Sequence, residues 1–452
     1  MWDQTCEAGP RFNKHELMKP QEQSWQHRQG SQHGQNTLES RRTRSSESPL
    51  LMPSPFAPSS SFRNVAASPD TTSTTGCALS RNYKARAGNS NPDVRAERDA
   101  RSDISKVRHA QGNFMTRVAI NGLGRIGRAT LKILMDTEGL DLVAANDIGA
   151  ADNIAYLLKY DTVYGRYEKA VEVAADGSLS IGEKRLMLLC EPSPARLPWQ
   201  SLNVDIVFEC TGRFTRRADL DAHIRAGARY VILSAPSNDD DVDTIVHGVN
   251  APQGATNIIS CASCTTNCIT PVMEILGRRI GIKKAIMTTV HAYTASQGVV
   301  DSSHKHPRRG RAAAANLVPT STGAAIATTK ALPEYRGRFD GAAVRAPVTI
   351  GSLADIVAVV ARPTTVDEVN LVFTAEAESE RYRGVLGVTR DPLVSSDIIK
   401  DPRASVVDLN MTQVVDGDLI KVMSWYDNEW GYSNQLVREA LRIGGGVEHE
   451  RR

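Results

Sequence analysis

Three cysteines lie within eight residues of one another near the middle of the chain, at Cys261, Cys264 and Cys268. Cys264 follows a strand-like stretch, residues 257–260, and stands at the predicted start of a helix. A thiol at a helix N-terminus feels the positive end of the helix dipole, which favours the nucleophilic thiolate. Cys264 is therefore a candidate nucleophile, and the alternative is an ordinary small buried side chain. Because no second ligand pair stands at zinc-finger spacing from the CxxC pair, we expect no metal.

A histidine that could act as the base for this thiol closes the next predicted strand, where His291 follows residues 288–290. A lone histidine after an apolar strand is more often structural than catalytic. The residues that follow favour catalysis, because they supply hydroxyl, backbone and guanidinium donors suited to phosphate. These donors are Thr294, Arg308, Arg311, Thr322, Gly323 and Arg345. Arg309, in the same basic loop, is interpreted as a solvated side chain.

A glycine-rich loop near residue 120 has the spacing of a dinucleotide-binding turn. Gly122, Gly124 and Gly127 form GxGxxG directly after a predicted strand and before a predicted helix. The first glycine allows the tight turn, the second a close approach to a pyrophosphate, and the third close helix–strand packing. Asp147 lies 20 residues past Gly127, where a carboxylate accepts from a ribose 2′-hydroxyl. An ordinary glycine turn with an unrelated aspartate would not require strand, loop, helix and acid in this order.

The elements that must position these residues fall into two regions. From Met115, strand and helix patterns alternate, which predicts an α/β fold with a Rossmann-type, doubly wound parallel sheet. After Cys264 a long helix precedes strand-like runs with few helices between them, which predicts an α+β catalytic domain with a largely antiparallel sheet. We expect a dinucleotide-binding domain over 115–263, completed by the C-terminal helix 430–452, and a catalytic domain over 264–429. The predicted strands cover residues 118–121, 142–146, 205–209, 230–234, 284–291, 341–348 and 353–360.

Residues 1–114 differ in character from the rest of the chain. They are rich in Ser, Gln, Arg and Pro and lack sustained apolar periodicity, so we expect a disordered extension. It could be an organelle transit peptide, a regulatory tail, or sequence upstream of a true start at Met115. The transit-peptide interpretation is weakened by six acidic residues in 1–47.

The bulk composition narrows the class of protein. A net charge of +3 over 452 residues argues for neither nucleic acid nor an anionic membrane as a partner. No apolar run approaches the ~18 residues that a transmembrane helix needs. Seven cysteines in so long a chain do not form a disulfide framework, which indicates a reducing compartment. We therefore expect a cytoplasmic protein, or an organellar one if the extension is a transit peptide.

Residues 115–452 resemble the phosphorylating glyceraldehyde-3-phosphate dehydrogenase family throughout. The matching segments are INGLGRIGR, ECTGRF, ASCTTNC, TVHAYT, PTSTGAA, AVRAPV and SWYDNEWGY. The resemblance implies oxidative phosphorylation of D-glyceraldehyde 3-phosphate to 1,3-bisphosphoglycerate, with hydride transfer to NAD. It also implies that glyceraldehyde 3-phosphate and inorganic phosphate are the small-molecule partners, and that the protein is a glycolytic homotetramer.

The resemblance implies a role for each matching position. Cys264 would form the thiohemiacetal and thioester, and His291 would activate the thiol and remove a proton during hydride transfer. The substrate's own phosphate would be held by Thr294 and Arg345, with Arg311 nearby. The attacking phosphate would be held by Ser263, Thr265, Thr322 and Gly323. The dinucleotide would be held by Gly122, Gly124, Arg125, Ile126, Gly127, Asp147, Thr211, Ser234, Asn428 and Tyr432.

The chain departs from the family pattern at Pro192, Cys261, Ile148 and Ser303. Ser303 stands where strictly NAD-dependent members usually carry proline, so it permits NADP, whereas Asp147 repels a 2′-phosphate. We expect NAD, with NADP use possible. Erythrose-4-phosphate dehydrogenase on the same fold is the enzymatic alternative, although its members lack the segments at 291–294 and 321–323. A non-catalytic regulatory protein that kept the fold is the other alternative.

Overall fold

The computed structural model of the chain describes residues 115–252 and 254–450. Its α-helices are α1 (Arg125–Leu134), α2 (Ala151–Lys159), α3 (Arg217–Arg225), α4 (Cys264–Arg279), α5 (Ala324–Ala331), α6 (Val366–Glu378) and α7 (Trp430–Glu450). Its first eleven strands are β1 (Thr116–Asn121), β2 (Leu140–Asn146), β3 (Tyr160–Asp161), β4 (Gly165–Arg166), β5 (Val171–Val173), β6 (Leu179–Ile181), β7 (Lys184–Leu189), β8 (Ile206–Glu209), β9 (Tyr230–Leu233), β10 (Asp243–Thr244) and β11 (Ile258–Ser260). The later strands are β12 (Ile282–Ala292), β13 (Val318–Ser321), β14 (Phe339–Ala346), β15 (Ser352–Val360), β16 (Leu386–Thr389), β17 (Ser405–Val415) and β18 (Leu419–Tyr426).

The first large sheet carries the glycine-rich loop. Its strand order is β10-β11-β9-β8-β1-β2-β7-β6-β5, and every pairing from β10 to β7 is parallel. The remaining two pairings, at the β5 edge, are antiparallel. Val118 and Ile120 on one face of β1 and Ala119 on the other are fully buried, as expected for a central parallel strand covered on both faces. The loops at the carboxyl ends of β1, β2 and β8 meet at the chain reversal, where doubly wound sheets bind ligands.

The second large sheet carries the candidate base. Its order is β13-β14-β12-β15-β18-β17-β16. Four of its pairings within the described residues are antiparallel, and the β12–β14 and β16–β17 pairings are parallel. Burial alternates strictly along β15, which is typical of a sheet with one face against a core. The α/β fold class with a largely antiparallel second sheet is therefore confirmed.

Two apolar cores underlie the two sheets and meet near Cys264. Leu131 of α1 and Leu142 of β2 pack in one core with Leu436 of α7. Val272 and the apolar face of α4 belong to the other core, beneath the second sheet. Cys264 packs against the edge of both. This packing supports our division at 263/264 with the last helix joined to the first domain, and the exact bounds remain a proposal.

Candidate active site

The candidate nucleophile is the first residue of α4. Ser263 is the N-cap, and its hydroxyl accepts a backbone N–H of the first turn at 3.1 Å. Ala262, immediately before it, has a φ of 54°, a left-handed conformation that is uncommon for a residue with a Cβ. The phenol of Tyr432 donates to the Ala262 carbonyl at 2.9 Å, and the Asn267 amide donates to the Ser263 carbonyl at 3.0 Å. These bonds hold the turn that presents Cys264 at the helix N-terminus.

Sheet register places the candidate base beside a cation. His291 of β12 lies directly opposite Arg345 of β14 in the parallel pairing. The Nε2 atom of His291 is 3.4 Å from the Sγ atom of Cys264, and its Nδ1 atom is 2.7 Å from the Ala292 carbonyl oxygen. Nδ1 also contacts an Arg345 terminal nitrogen, which can only donate, so these contacts are compatible with either neutral tautomer; the one protonated on Nδ1 presents its Nε2 lone pair to the thiol. The Arg345 guanidinium donates to the same carbonyl at 3.0 Å.

Burial controls the protonation of this pair. Desolvation, with the adjacent Arg345 charge, lowers the pKa of His291 to about 3, so the imidazole is neutral. Burial also raises the pKa of the Cys264 thiol, and the Arg345 charge and hydrogen bonds from Thr265 oppose that rise. The arrangement is a thiol hydrogen-bonded to a neutral imidazole, which can accept the thiol proton as sulfur attacks a carbonyl carbon.

The glycine-rich loop is packed tightly against other protein atoms at its first and third glycines and is open at the second. A Cβ on Gly122 would lie 2.7 Å from the Thr211 nitrogen, and one on Gly127 would lie 1.9 Å from the Gly122 oxygen. A Cβ on Gly124 would meet no protein atom within 4 Å. Gly124 is the N-cap of α1 without a side-chain capping bond, so the first N–H groups of Arg125 and Ile126 can bind an anion. The first and third glycines therefore serve packing, and the second leaves room for a ligand.

Asp147 sits at the end of β2 and binds the glycine-rich loop directly. Its Oδ2 accepts from the Leu123 N–H at 2.7 Å, and its Oδ1 accepts from the Gly149 N–H at 2.8 Å. The carboxylate borders a pocket of about 240 Å³ whose lining includes Gly122, Gly124, Ile148, Glu191, Pro192, Thr211 and Arg213. The Asp147 carboxylate makes this pocket unfavourable for a further negative charge, whereas the Glu191 carboxylate is paired with Arg196 at 2.8 Å and Arg213 supplies a cation.

A buried network that the sequence analysis missed supports this pocket. Glu209, the last residue of β8, is fully buried. One carboxylate oxygen accepts from the Thr211 N–H at 2.8 Å, and the other accepts from the Asn121 amide at 2.6 Å and contacts the His223 Nε2 at 3.1 Å. Trp199 donates to the His223 Nδ1 at 3.0 Å, so His223 carries its proton on Nε2 and donates to Glu209. The segment ECTGRF contained Glu209, but nothing in its spacing pointed to His223.

The remaining cofactor candidates lie near the starts of α1 and α7 and directly after β9. Asn428 is buried, and its side-chain oxygen accepts from the Ser352 hydroxyl at 3.0 Å. The neighbouring Glu429 pairs with Arg125 at 2.6 Å, so the Arg125 guanidinium links the glycine-rich loop to the start of α7. Ser234 follows β9, and its N–H donates to the Glu209 carbonyl at 3.0 Å. The Arg125 side chain is therefore engaged with protein, and its backbone is the part free for a dinucleotide.

The residues predicted to bind phosphate lie in separate segments. The Thr294 hydroxyl bonds to the Ser296 hydroxyl at 2.9 Å, just beyond His291. Thr322 and Gly323 stand at the start of α5, where the Thr322 hydroxyl accepts from the Ala324 N–H at 3.2 Å. Arg311 does not contact these groups in the structure: it is exposed and pairs with the exposed Asp301 at 2.9 Å.

The interpretation of Arg309 as a solvated side chain is wrong. Arg309 is half-buried, and its Nε donates to the Thr320 hydroxyl at 2.9 Å while a terminal nitrogen donates to the Ser321 carbonyl at 3.2 Å. It therefore fastens the basic loop to β13. The sequence could not show this, because the contact joins residues eleven and twelve positions apart through a loop.

Comparison with known proteins identifies the same two regions. Residues 116–217 match the family described as glyceraldehyde 3-phosphate dehydrogenase, NAD binding domain, and residues 263–428 match its C-terminal domain. The chain is 48% identical over 332 residues to glyceraldehyde-3-phosphate dehydrogenase 2 of Streptomyces avermitilis, covering 73% of this chain and 98% of that one. It is 46% identical over 336 residues to the Mycobacterium tuberculosis enzyme, with the same coverage. It is 44% identical over 326 residues to glyceraldehyde-3-phosphate dehydrogenase 1 of Bacillus cereus, covering 72% and 97%.

Two kinds of site are absent from the part of the chain that the structure describes. No helix there has both the length and the apolar character needed to cross a bilayer. No group of three or more His, Cys, Asp or Glu side chains there is arranged to hold a metal ion.

Proposed function

The chain belongs to the glyceraldehyde 3-phosphate dehydrogenase family, and from that premise we propose that Cys264 and His291 carry out the oxidation and phosphorylation of D-glyceraldehyde 3-phosphate. The observation that carries the proposal is the 3.4 Å contact between the Cys264 sulfur and the Nε2 atom of the neutral His291 imidazole. NAD is the cofactor, and it supplies the hydride acceptor when bound. The product is 1,3-bisphosphoglycerate.

The protein groups divide the reaction into two halves. In the first half, His291 accepts the Cys264 proton as sulfur adds to the aldehyde carbon and returns it to the resulting alkoxide oxygen, which gives a thiohemiacetal and frees the imidazole. His291 then takes the hydroxyl proton of that intermediate as its C–H hydride departs, which leaves a thioester on Cys264. In the second half, a phosphate oxygen attacks the thioester carbonyl, and Cys264 leaves as a thiolate. The acyl group is thereby transferred from Cys264 to phosphate and leaves as the acyl phosphate.

The residues around the glycine-rich loop fit a dinucleotide. The space beside Gly124 and the N-terminus of α1 suit the pyrophosphate, and the Asp147 carboxylate suits a ribose hydroxyl. Thr211, Ser234 and Glu209 would shape the adenosine side. Asn428 would orient the carboxamide, and Tyr432 would hold the turn before Cys264.

Two anion sites are proposed for the two phosphates. Arg345, with Thr294, would hold the phosphate of the substrate, because a guanidinium binds phosphate through paired N–H donors. The Nε of Arg345 is buried and has no hydrogen-bond partner among the described residues, so a donor remains available. Ser263, Thr265, Thr322 and Gly323 would hold the attacking phosphate. Arg311 would have to leave Asp301 to reach either site.

The test is a first-turnover measurement without phosphate. The wild-type enzyme with NAD and glyceraldehyde 3-phosphate should release about one NADH per active site and then stall at the thioester. Cys264→Ser should give no burst, because an alcohol is essentially never ionised at neutral pH. Cys190→Ser is the matched control, since Cys190 is an exposed free thiol. Normal turnover by Cys264→Ser would contradict the mechanism, and a higher kcat/KM for erythrose 4-phosphate would favour the enzymatic alternative.

A homotetramer in the cytoplasm is proposed as the working form. The outer face of the second sheet exposes apolar side chains, among them Ile286 and Val290 of β12. A sheet face of this kind is more often covered by another subunit than left in water. Light scattering after size exclusion would measure the assembly, and a monomer at micromolar concentration would contradict the proposal. The organellar alternative depends on residues 1–114, which lie outside the described residues.

A further inference from the structure

A buried tyrosine at the end of β18 links two hydroxyls beneath the active site. The phenol of Tyr426 lies 2.9 Å from the Thr265 hydroxyl and 2.8 Å from the Thr289 hydroxyl. Thr289 is completely buried, Tyr426 is 1% exposed, and Thr265 is 4% exposed. Thr265 immediately follows Cys264, whereas Thr289 lies two residues before His291 on β12. The three hydroxyls form a chain that passes from the second sheet to the N-terminus of α4.

The number of hydrogens on the three hydroxyls determines which of them donates in each hydrogen bond. Three hydroxyls carry three hydrogens and make two bonds with each other, so one hydrogen is left over. A leftover hydrogen on Thr289 or Tyr426 would be buried, and no further hydrogen-bond partner of either hydroxyl is found among the described residues. Such an unsatisfied donor is costly. The cost disappears if Thr289 donates to Tyr426 and Tyr426 donates to Thr265.

We propose that Tyr426 and Thr289 are positioning residues that keep the Thr265 hydroxyl as a hydrogen-bond donor facing the reaction centre. The Thr265 side chain already hydrogen-bonds toward the Cys264 sulfur, where it opposes the rise in the thiol pKa. In the second half of the reaction, when the sulfur is acylated, the same hydrogen is available to the attacking phosphate. A donor is required there, because a phosphate oxyanion can only accept.

The Tyr426 ring has a second contact, which makes a conservative test possible. It packs edge-on against the His291 imidazole, with centroids 5.9 Å apart and an interplanar angle of 76°. Tyr426→Phe keeps this ring packing and removes only the hydroxyl. Thr289→Val removes the hydroxyl that contacts Tyr426 from the other side and keeps nearly the same side-chain shape, and Thr289→Ser restores a hydroxyl at that position.

The proposal rests on the proposed function, and the experiment separates the two. Steady-state kinetics with varied inorganic phosphate should show a KM for phosphate raised roughly 2- to 10-fold in Tyr426→Phe and in Thr289→Val, which is the usual net effect of one neutral hydrogen bond. The first-turnover release of NADH without phosphate should change much less than the KM for phosphate. Thr289→Ser should restore the KM. Tyr335→Phe is the control, because the Tyr335 phenol donates to a backbone carbonyl of α4 at 3.4 Å and does not contact the three linked hydroxyls.

A double-mutant cycle tests whether Tyr426 acts through Thr265. If it does, adding Tyr426→Phe to Thr265→Val should raise the KM for phosphate no further than Thr265→Val alone. Independent, multiplying effects would overturn the proposal, as would an unchanged KM in both Tyr426→Phe and Thr289→Val. If one of these two variants fails to fold, the other still decides the result. Wild-type enzyme without phosphate-dependent turnover would instead contradict the proposed function.

Discussion

His291 works in an environment that keeps it uncharged. Burial beside Arg345 lowers its pKa to about 3, and its Nδ1 atom contacts the Ala292 carbonyl oxygen at 2.7 Å. A base of this kind accepts a proton only while the reaction proceeds, so its removal affects the chemical steps more than binding.

His291→Asn should lower kcat roughly 10²- to 10⁴-fold, the usual contribution of general acid–base catalysis. Stopped-flow measurement of the first NADH release would check this, with His306→Asn in an exposed loop as the control. A loss smaller than threefold would show that another group is the base.

The charge of Arg345 should be visible in the pH dependence of the thiol. Burial raises the pKa of Cys264 above the ordinary value of 9.0, and the Arg345 cation opposes that rise. Alkylation by iodoacetamide requires the thiolate, so its rate at Cys264 should still be rising above pH 9 in the wild type. In Arg345→Leu the midpoint should move further upward. Peptide mass spectrometry would follow Cys264 with the exposed Cys190 as internal reference, and a downward shift in the variant would contradict the electrostatic account.

Residue types and spacing predicted some of these side chains and missed others. Cys264 was recognisable because a thiol after a short strand stood at a helix start, and the structure places it there. That His291 faces Arg345 follows only from the pairing of β12 with β14, strands separated in sequence by a long loop, β13 and α5. Tyr426 lay within a segment quoted for the resemblance, yet its role depends on contacts with Thr265 and Thr289, 161 and 137 positions away in sequence.

The first βαβ unit could be predicted almost completely. The order of β1, α1 and β2 and the position of Asp147 at the end of β2 follow from apolar periodicity and from glycine spacing. The starts of β1 and β2 lie two residues earlier than predicted, because Thr116 and Leu140 extend the parallel pairing. The sequence could not show that Asp147 also accepts the Leu123 N–H, so one carboxylate both shapes the loop and faces the pocket.

The double role of Asp147 determines which substitution tests cofactor choice. Wild-type kcat/KM should favour NAD over NADP at least tenfold, because a 2′-phosphate would face a carboxylate at hydrogen-bonding range. Asp147→Asn keeps one acceptor oxygen for the loop and removes the charge, so it should reduce the preference by about tenfold with modest loss of NAD activity. Asp147→Ala should reduce NAD activity more strongly, because the Leu123 and Gly149 N–H groups lose their acceptor.

Steady-state kinetics with both cofactors decide the outcome. Equal use of NAD and NADP by the wild type would show that Ser303 was the better guide to cofactor choice than Asp147. A preference for NAD that Asp147→Asn leaves unchanged would place the selectivity elsewhere in the pocket, for example at Glu191.

A carboxylate between the last strand and the last helix joins the C-terminal helix to distant parts of the protein. Asp427, between β18 and α7, accepts from the Lys400 N–H at 2.8 Å, from the Trp430 N–H at 2.8 Å and from the Tyr164 phenol at 2.9 Å. One carboxylate thus caps α7 and joins it to two distant segments. Strand and helix patterns predicted these elements individually, but the order of the strands in the second sheet depends on packing that no local pattern encodes.

A chain that begins at Met115 should therefore fold and turn over like the full chain. All of the site residues proposed above, and both apolar cores, lie within 115–450, and β1 begins at Thr116, whose N–H already donates to the Gly139 carbonyl at 3.2 Å. We expect kcat within twofold and a Tm within about 2 °C, because the shorter chain keeps both of these cores and all of these site residues. A chain that begins at Asn121 is the control: it loses most of β1, which pairs with both β2 and β8, and should not fold. A large loss of kcat or Tm in the Met115 form alone would show that residues 1–114 contribute to the enzyme itself, and their role would then have to be sought in contacts with it.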